Sequence, residues 1–376
     1  MGSIAIKMLQ NDVAKFVGLV MGVAFATLLV TNQGGIFASI LQQSTKAIDE
    51  FKGVDVWVMK PEVESIDTGI AIPYVVLGRV RSVTGVDWAL PFYISGGRLK
   101  TEHGLRRNVT IYGVDDQSFF GLPKEMILGE PNDLVEPESI VLDVAAYRSY
   151  FPDQPLRLGD IVEIGSRRSR IVGLCMSNWT GVVYTRLSNA LLLEGQPGKM
   201  TTFILVKAKS GCDPEELARV ITNLTGLKAE TRAAFSANTI NYMYKTSGMV
   251  EAFGTTIIIG LFVGAVIVGQ TFSMFVNDNL KQFAALKAIG VSNYTILYML
   301  FLQSLLVTMI GFGLGAGASA SIFGLMDSQE SALRGMVIPW YLLVGAALSD
   351  GCIVIVACWV SARKILFVDP AIIYRG

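Results

Sequence analysis

The chain has 376 residues, of which 52% are hydrophobic and 16% charged, and its 31 basic residues balance 31 acidic ones. That mixture lies between a soluble enzyme and a pure helical bundle, so it describes a membrane protein carrying a sizeable soluble part. A net charge near zero speaks against a nucleic-acid partner.

From Phe16 to Thr45 there is no Asp, Glu, Lys or Arg. At about 1.5 Å of rise per residue this stretch exceeds the ~30 Å hydrocarbon core of a bilayer. Lys7 and Lys15 precede it, as in a secretory leader, but the run is about twice an ordinary leader's apolar core, which favours an uncleaved first span over residues 16–45. Residues 1–15 are expected to form a short cytoplasmic helix ahead of it.

Residues 46–250 are ordinary polar sequence and read as one large mixed α/β domain. Asp55 to Met59, Asn108 to Tyr112 and Phe203 to Val206 alternate as strands do. Asp160 to Ile164 and Arg170 to Val172 flank Gly165 to Ser169 and predict a hairpin. Asp213 as N-cap, Pro214 at the first helical position and Glu215 and Glu216 in the first turn predict a helix to about Leu224. With the strand before it and Leu227 to Thr231 after it, this makes a strand-helix-strand unit. A strand-rich insert over about 137–193 is expected to split a first subdomain. The lone His103 reads as a surface residue. Cys175 and Cys212 have no metal-ligand spacing and are either a disulfide or two free thiols.

Three further apolar segments follow, expected as spans over 251–277, 294–326 and 337–362, with a turn over 278–293, a short outer loop over 327–336 and a tail over 363–376. Lys7, Lys15, Lys281, Lys287, Arg363, Lys364 and Arg375 then fall on one side, against Arg334 alone on the other. The positive-inside rule places both termini in the cytoplasm and the large domain outside it.

No GxxxxGK[ST] loop, GxSxG elbow or HExxH is present, and one histidine allows no conventional Ser-His-Asp set. The chain is therefore expected not to be an enzyme and to hold no metal or cofactor of its own.

The turn at 278–293 is the most specific local signal. Phe283, Leu286 and Ile289, or Leu280, Phe283 and Lys287, recur at helical spacing, and Gly290 suits the left-handed position after a helix. Here the sequence resembles the permeases of MacB-type ABC transporters, which share an FtsX-like core with LolC, LolE, DevC and HrtB. Phe283 to Gly290 resembles that family's coupling helix, with Gln282 standing where an acid is usual. Asp369 to Arg375 resembles the family's closing segment, and Tyr112-Gly113-Val114-Asp115 and Leu158-Gly159-Asp160-Ile161-Val162 resemble its ectodomain signatures.

The resemblance implies a four-span α-helical membrane protein with a porter-like ectodomain and an inserted β-rich subdomain, working in a bacterial inner membrane. It implies a second copy of the chain and a dimer of separate ATPase subunits that hold ATP and Mg. It also implies that Lys281, Gln282, Phe283, Leu286, Lys287, Ile289 and Gly290 contact the ATPase. Export of a lipid, haem, peptide or drug-like cargo, with a membrane-fusion adaptor and an outer-membrane channel, is one outcome; FtsX-like signalling without cargo is the alternative, and a scaffold without an ATPase is disfavoured by the coupling-helix match.

Two features inside the spans complete the reading. Gly311, Gly313, Gly315 and Gly317 suggest a close helix interface. Asp350 is the one acid within a span, and an ionised Asp there costs about 2.5 to 3.5 kcal/mol. It is expected either to make a contact that shifts between conformations, with Gln303 or Gln270, or to be a neutral or paired acid of purely structural use.

Overall fold

A computed structural model describes residues 13–366 except 153, 178–180, 196–198, 247 and 327–335. Residues 1–12, the loop bearing Arg334 and the tail motif Asp369 to Arg375 lie outside the described residues.

In chain order the elements are α1 (Val13–Glu50), β1 (Val56–Met59), β2 (Ile72–Pro73), α2 (Val75–Arg81), β3 (Val86–Thr101), β4 (Arg106–Val114), β5 (Met126–Leu128) and β6 (Ser139–Asp143). Then come α3 (Val144–Tyr150), β7 (Ile161–Ile164), β8 (Arg167–Cys175), β9 (Val182–Arg186), α4 (Leu187–Glu194), β10 (Met200–Thr201), β11 (Phe203–Ala208) and α5 (Pro214–Thr225). The chain continues through β12 (Lys228–Thr231), α6 (Arg232–Thr246), α7 (Met249–Asp278), α8 (Leu280–Ala288), α9 (Asn293–Met326) and α10 (Trp340–Leu366). It divides into two compact units, one holding α1 as far as Ile40 with α7 to α10, the other residues 41–247.

In the first unit, α1, α7, α9 and α10 are each long and apolar enough to cross a membrane. Without a hydrophobic drive between helices in lipid, close packing depends on small residues. Gly22 of α1 lies against α7, where a Cβ would come within 2.8 Å of Ile267, and Gly264 of α7 answers it, with a Cβ 2.6 Å from that of Ala26. Gly311 and Gly315 of α9 approach the other side of α1 and would meet Val23 and Thr27 at 2.6 Å. Gly313 and Gly317 have no atom within 4 Å of such a Cβ. The run of four is thus not one interface: helical geometry sends i and i+4 to one face and the positions between them elsewhere. Trp340 and Tyr341 open α10, and Trp359 lies near its end beneath the Arg363 guanidinium, 3.8 Å from the ring centroid. About 28 Å of helix separates Trp340 from Trp359, the spacing of two interfacial aromatic belts.

The second unit is built on a ten-stranded sheet of order β12-β1-β11-β3-β4-β9-β6-β8-β5, with β7 pairing β3 and β8. The strand-helix-strand unit is present: Asp213 accepts from the Glu215 amide at 3.2 Å to start α5, and Gly226 at φ 69° ends it. β11 and β12 both run antiparallel to β1, which lies between them. Trp57 and Met59 of β1 enter an aromatic core with Phe51, Phe92, Phe203 and Phe235. The alternate residues Val56 and Val58 pack on α2 and α5 through Leu77, Val80, Leu217 and Ile221.

The expected insert over 137–193 shares this sheet. The first seven residues of β3 pair with β11, and its second half pairs with β4 and β7, so one sixteen-residue strand carries both regions. The insert's apolar cluster, which holds Tyr147 and Ile164, also takes in Tyr93 and Leu99 of β3 and Val109 and Ile111 of β4. The predicted hairpin is tighter than expected. Ile164 pairs with Arg167, so Gly165 and Ser166 alone make the turn; Gly165 at φ 62° permits it, and Arg167 to Ser169 join the strand. Cys175 and Cys212 form no disulfide, nor do Cys352 and Cys358.

Candidate coupling site

The turn between α7 and α9 is built to be stiff. Asn279 caps the end of α7, its side chain donating to the Phe275 carbonyl at 2.8 Å, and its own carbonyl accepts from Phe283 at 3.0 Å. Lys15 at the start of α1 forms an ion pair with Asp278. At the other end of α8, the Gly290 amide donates to Lys287 at 2.9 Å and the Val291 amide to Leu286 at 3.0 Å. With Gly290 at φ 96°, this is a complete Schellman motif, as the sequence predicted from Gly290. Ser292 then caps α9, accepting from the Thr295 amide at 3.3 Å, a cap that sequence reasoning missed although serine is a preferred N-cap residue.

The side chains of α8 divide differently from the expected stripe. Phe283 is 0% exposed, sealed in the membrane unit among Val276, Ile296 and Met299. It cannot also dock into a separate protein, so its expected docking role is corrected: it fastens α8 to the spans. The spacing of Phe283, Leu286 and Ile289 was real, but the helix turns only part of that stripe outward. Leu286 is half-buried, Ile289 is 81% exposed, and Tyr294 in the next turn is 86% exposed. Lys281 and Gln282 are exposed and Lys287 half-buried. The outward surface is therefore Ile289 at the end of α8 and Tyr294 in the first turn of α9, flanked by lysines of α8.

Within the spans, Asp350 is 1% exposed. Its Oδ2 is 2.5 Å from the Thr27 hydroxyl, which also lies 2.9 Å from the Val23 carbonyl. Its Oδ1 has no hydrogen-bond partner among the described residues. Thr27, absent from the sequence-predicted set, is thus the partner that ties α10 to α1. Gln303 is buried on α9, whereas Gln270 lies on an exposed face of α7.

In the large domain, Asp160 of the second signature binds Arg157 through Nε at 2.9 Å and the Tyr147 hydroxyl at 2.5 Å. Burial works to raise its pKa and is outweighed by the bonds from Arg157 and Tyr147, which hold it below the ordinary carboxylate value. Burial and the bond to Asp160 push the Tyr147 phenol up to about 12. Among the described residues, no group of His, Cys, Asp and Glu could hold a metal ion.

Comparison with known proteins covers nearly the whole chain. The MacB-like periplasmic core domain matches residues 16–224, and the FtsX-like permease C-terminal domain matches residues 254–370. An uncharacterised ABC transporter permease of Mycobacterium tuberculosis is 26% identical over 365 residues, 96% of this chain and 93% of that one. The macrolide export ATP-binding/permease protein MacB of Escherichia coli is 21% identical over 95% of this chain, which spans 57% of its length. The periplasmic region of MacB from Actinobacillus actinomycetemcomitans is similar at TM-score 0.39 and 18% identity, over 52% of this chain and 98% of that structure.

Proposed function

The chain belongs to the family of MacB/FtsX-like ABC transporter permeases, and from that premise we propose that it transmits ATP-driven motion from a separate ATPase subunit to its large domain, driving export of an apolar or amphiphilic cargo. The observation that carries this reading is the geometry of α8. A Schellman-closed helix, bolted inward by Phe283 and followed by the outward Ile289 and, at the start of α9, Tyr294, is a contact surface that passes displacement on to α7 and α9 rather than absorbing it.

The rest of the assembly follows from the same premise. With Lys15, Lys281, Lys287 and Arg363 on the cytoplasmic side, both termini are placed in the cytoplasm beneath a bacterial inner membrane and the large domain on its outer side. ATP and Mg are placed on an ATPase dimer, which two copies of this chain bind. A membrane-fusion adaptor and an outer-membrane channel would complete the export path. The test is copurification with an ABC ATPase subunit from the same cell: a complex of two permeases and two ATPases is expected, whereas ATP hydrolysis by this chain purified alone would overturn the division of labour. If the complex forms but cargo never moves and an extracytoplasmic hydrolase is switched on instead, the signalling alternative holds.

A further inference from the structure

The large domain contains a cavity of about 530 Å³ that the coupling account does not use. Its volume lies in the range of small-molecule sites. The first ectodomain signature builds it. Tyr112 lies at its floor, Gly113 lets β4 pack against Ala190 of α4, where a Cβ would sit 2.9 Å away, and Val114 is fully buried. Asp115 then shapes the wall: its carboxylate accepts from the Ser118 amide at 2.9 Å and the Ser118 hydroxyl at 2.8 Å. That turn holds Phe119 at φ 51°, a left-handed conformation that a bulky residue adopts only when its surroundings impose it. The strained turn carries Phe119 and Phe120 to the cavity, where Phe120 packs on Trp88 at a 5.1 Å centroid distance.

Three properties of this cavity select a ligand. Its walls are aromatic and thioether, from Phe119, Phe120 and Met176, which favours a ring-bearing molecule. Its rim carries Glu50 and Glu125 against Lys52 and Lys124, so it selects for no net charge, and a charge in the apolar interior would be costly. Tyr112 lines the cavity and is 4% exposed, with its ring packed on Phe92 and Tyr184. Burial, with the nearby charges of Asp67 and Glu50, raises its pKa, so the phenol stays a donor. Tyr184 beside it is already satisfied by Ser177 at 2.8 Å. A ligand oxygen entering the cavity would accept from the Tyr112 hydroxyl in place of water.

We propose that this cavity is a binding site for an uncharged, ring-bearing organic molecule whose carbonyl or ether oxygen accepts from the Tyr112 phenol. As the cargo class, this rests on the export reading; as a binding site, it stands without it. Benzophenone is a suitable probe, being neutral, two-ringed and a ketone that attaches to neighbouring C–H bonds under light. In nanodiscs holding the full chain without ATPase or nucleotide, the adducts are expected on the peptides bearing Phe119 to Leu122 and Met176. Tyr112→Phe, which keeps the ring and the fold, should reduce labelling there about three- to tenfold at sub-saturating probe. Leu122→Trp should fill the cavity and abolish it. Adducts confined to the membrane helices, or site labelling unchanged in Tyr112→Phe, would overturn the proposal. Because no ATPase is present, that failure would leave the coupling reading untouched, and a failure of coupling would leave the labelling in place.

Discussion

Replacing Gly315 with alanine should destabilise the membrane unit, while the same change two residues later should not. The new methyl at residue 315 would lie 2.6 Å from the Thr27 Cβ and against the Ala24 carbonyl, where carbon contacts normally fall near 3.5 to 4.0 Å. Relief requires α1 to move by about 1 Å, and overpacking of this kind costs about 1 to 3 kcal/mol. Gly317→Ala meets no atom within 4 Å, and it gains helix propensity worth up to about 1 kcal/mol in exposed soluble helices. The two variants should therefore differ by about 1 to 4 kcal/mol, or roughly 5- to 700-fold in the unfolding equilibrium at 1.4 kcal/mol per decade. Reversible unfolding of the chain in mixed detergent and SDS micelles, followed by circular dichroism, measures this. Equal stability of the two variants, or a more damaging Gly317→Ala, would refute the assignment of Gly315 to the α1 interface.

Three other outcomes follow from single contacts. Phe283→Ala empties a fully buried site and should cost about 3 to 5 kcal/mol by the same unfolding assay, whereas a mere surface helix would lose almost nothing. Asp350→Asn keeps an oxygen for Thr27 and should unfold close to wild type, while Asp350→Leu should lose about 1 kcal/mol or more; identical curves for both would show that the bond to Thr27 is idle. The lowered pKa of Asp160 stabilises the large domain above the unfolded carboxylate value near 4, and that stabilisation is lost as pH falls through the folded value. Melting temperature against pH should therefore separate wild type from Asp160→Asn at pH 6, and the gap should narrow as pH falls below the unfolded carboxylate value; a constant gap would remove Arg157 and Tyr147 as the cause.

The sequence made the four spans legible because an uncharged run of that length has few other uses. It made α5 and the end of α8 legible because Asp213-Pro214 and Gly290 leave little choice of backbone. It did not reveal which way Phe283 faces, since periodicity defines a stripe and not its partner. The glycine run misled for a related reason: four alternating glycines look continuous in sequence, but only Gly311 and Gly315 share a helix face. Thr27 gave no signal at all. A threonine in a membrane helix ordinarily bonds its own preceding carbonyl, as this one does with Val23, and only the packed helices show that it also reaches Asp350. Tyr112 and Asp115 were visible as a family signature, but their shared cavity required the folded loop.

The central claim is that α8 transmits motion through its outward surface, and a distance measurement across the assembled complex tests it most directly. Spin labels at Leu224→Cys, an exposed site on α5, would be placed on both copies of the permease, with the accessible Cys212 and Cys352 replaced by serine. Addition of ATP is expected to shift the label-to-label distance in the otherwise wild-type complex, and Ile289→Asp, which puts a charge on the exposed apolar contact, should abolish the shift while leaving the unfolding curve unchanged. An undiminished ATP-driven shift in Ile289→Asp, with the ATPase still bound, would contradict the account.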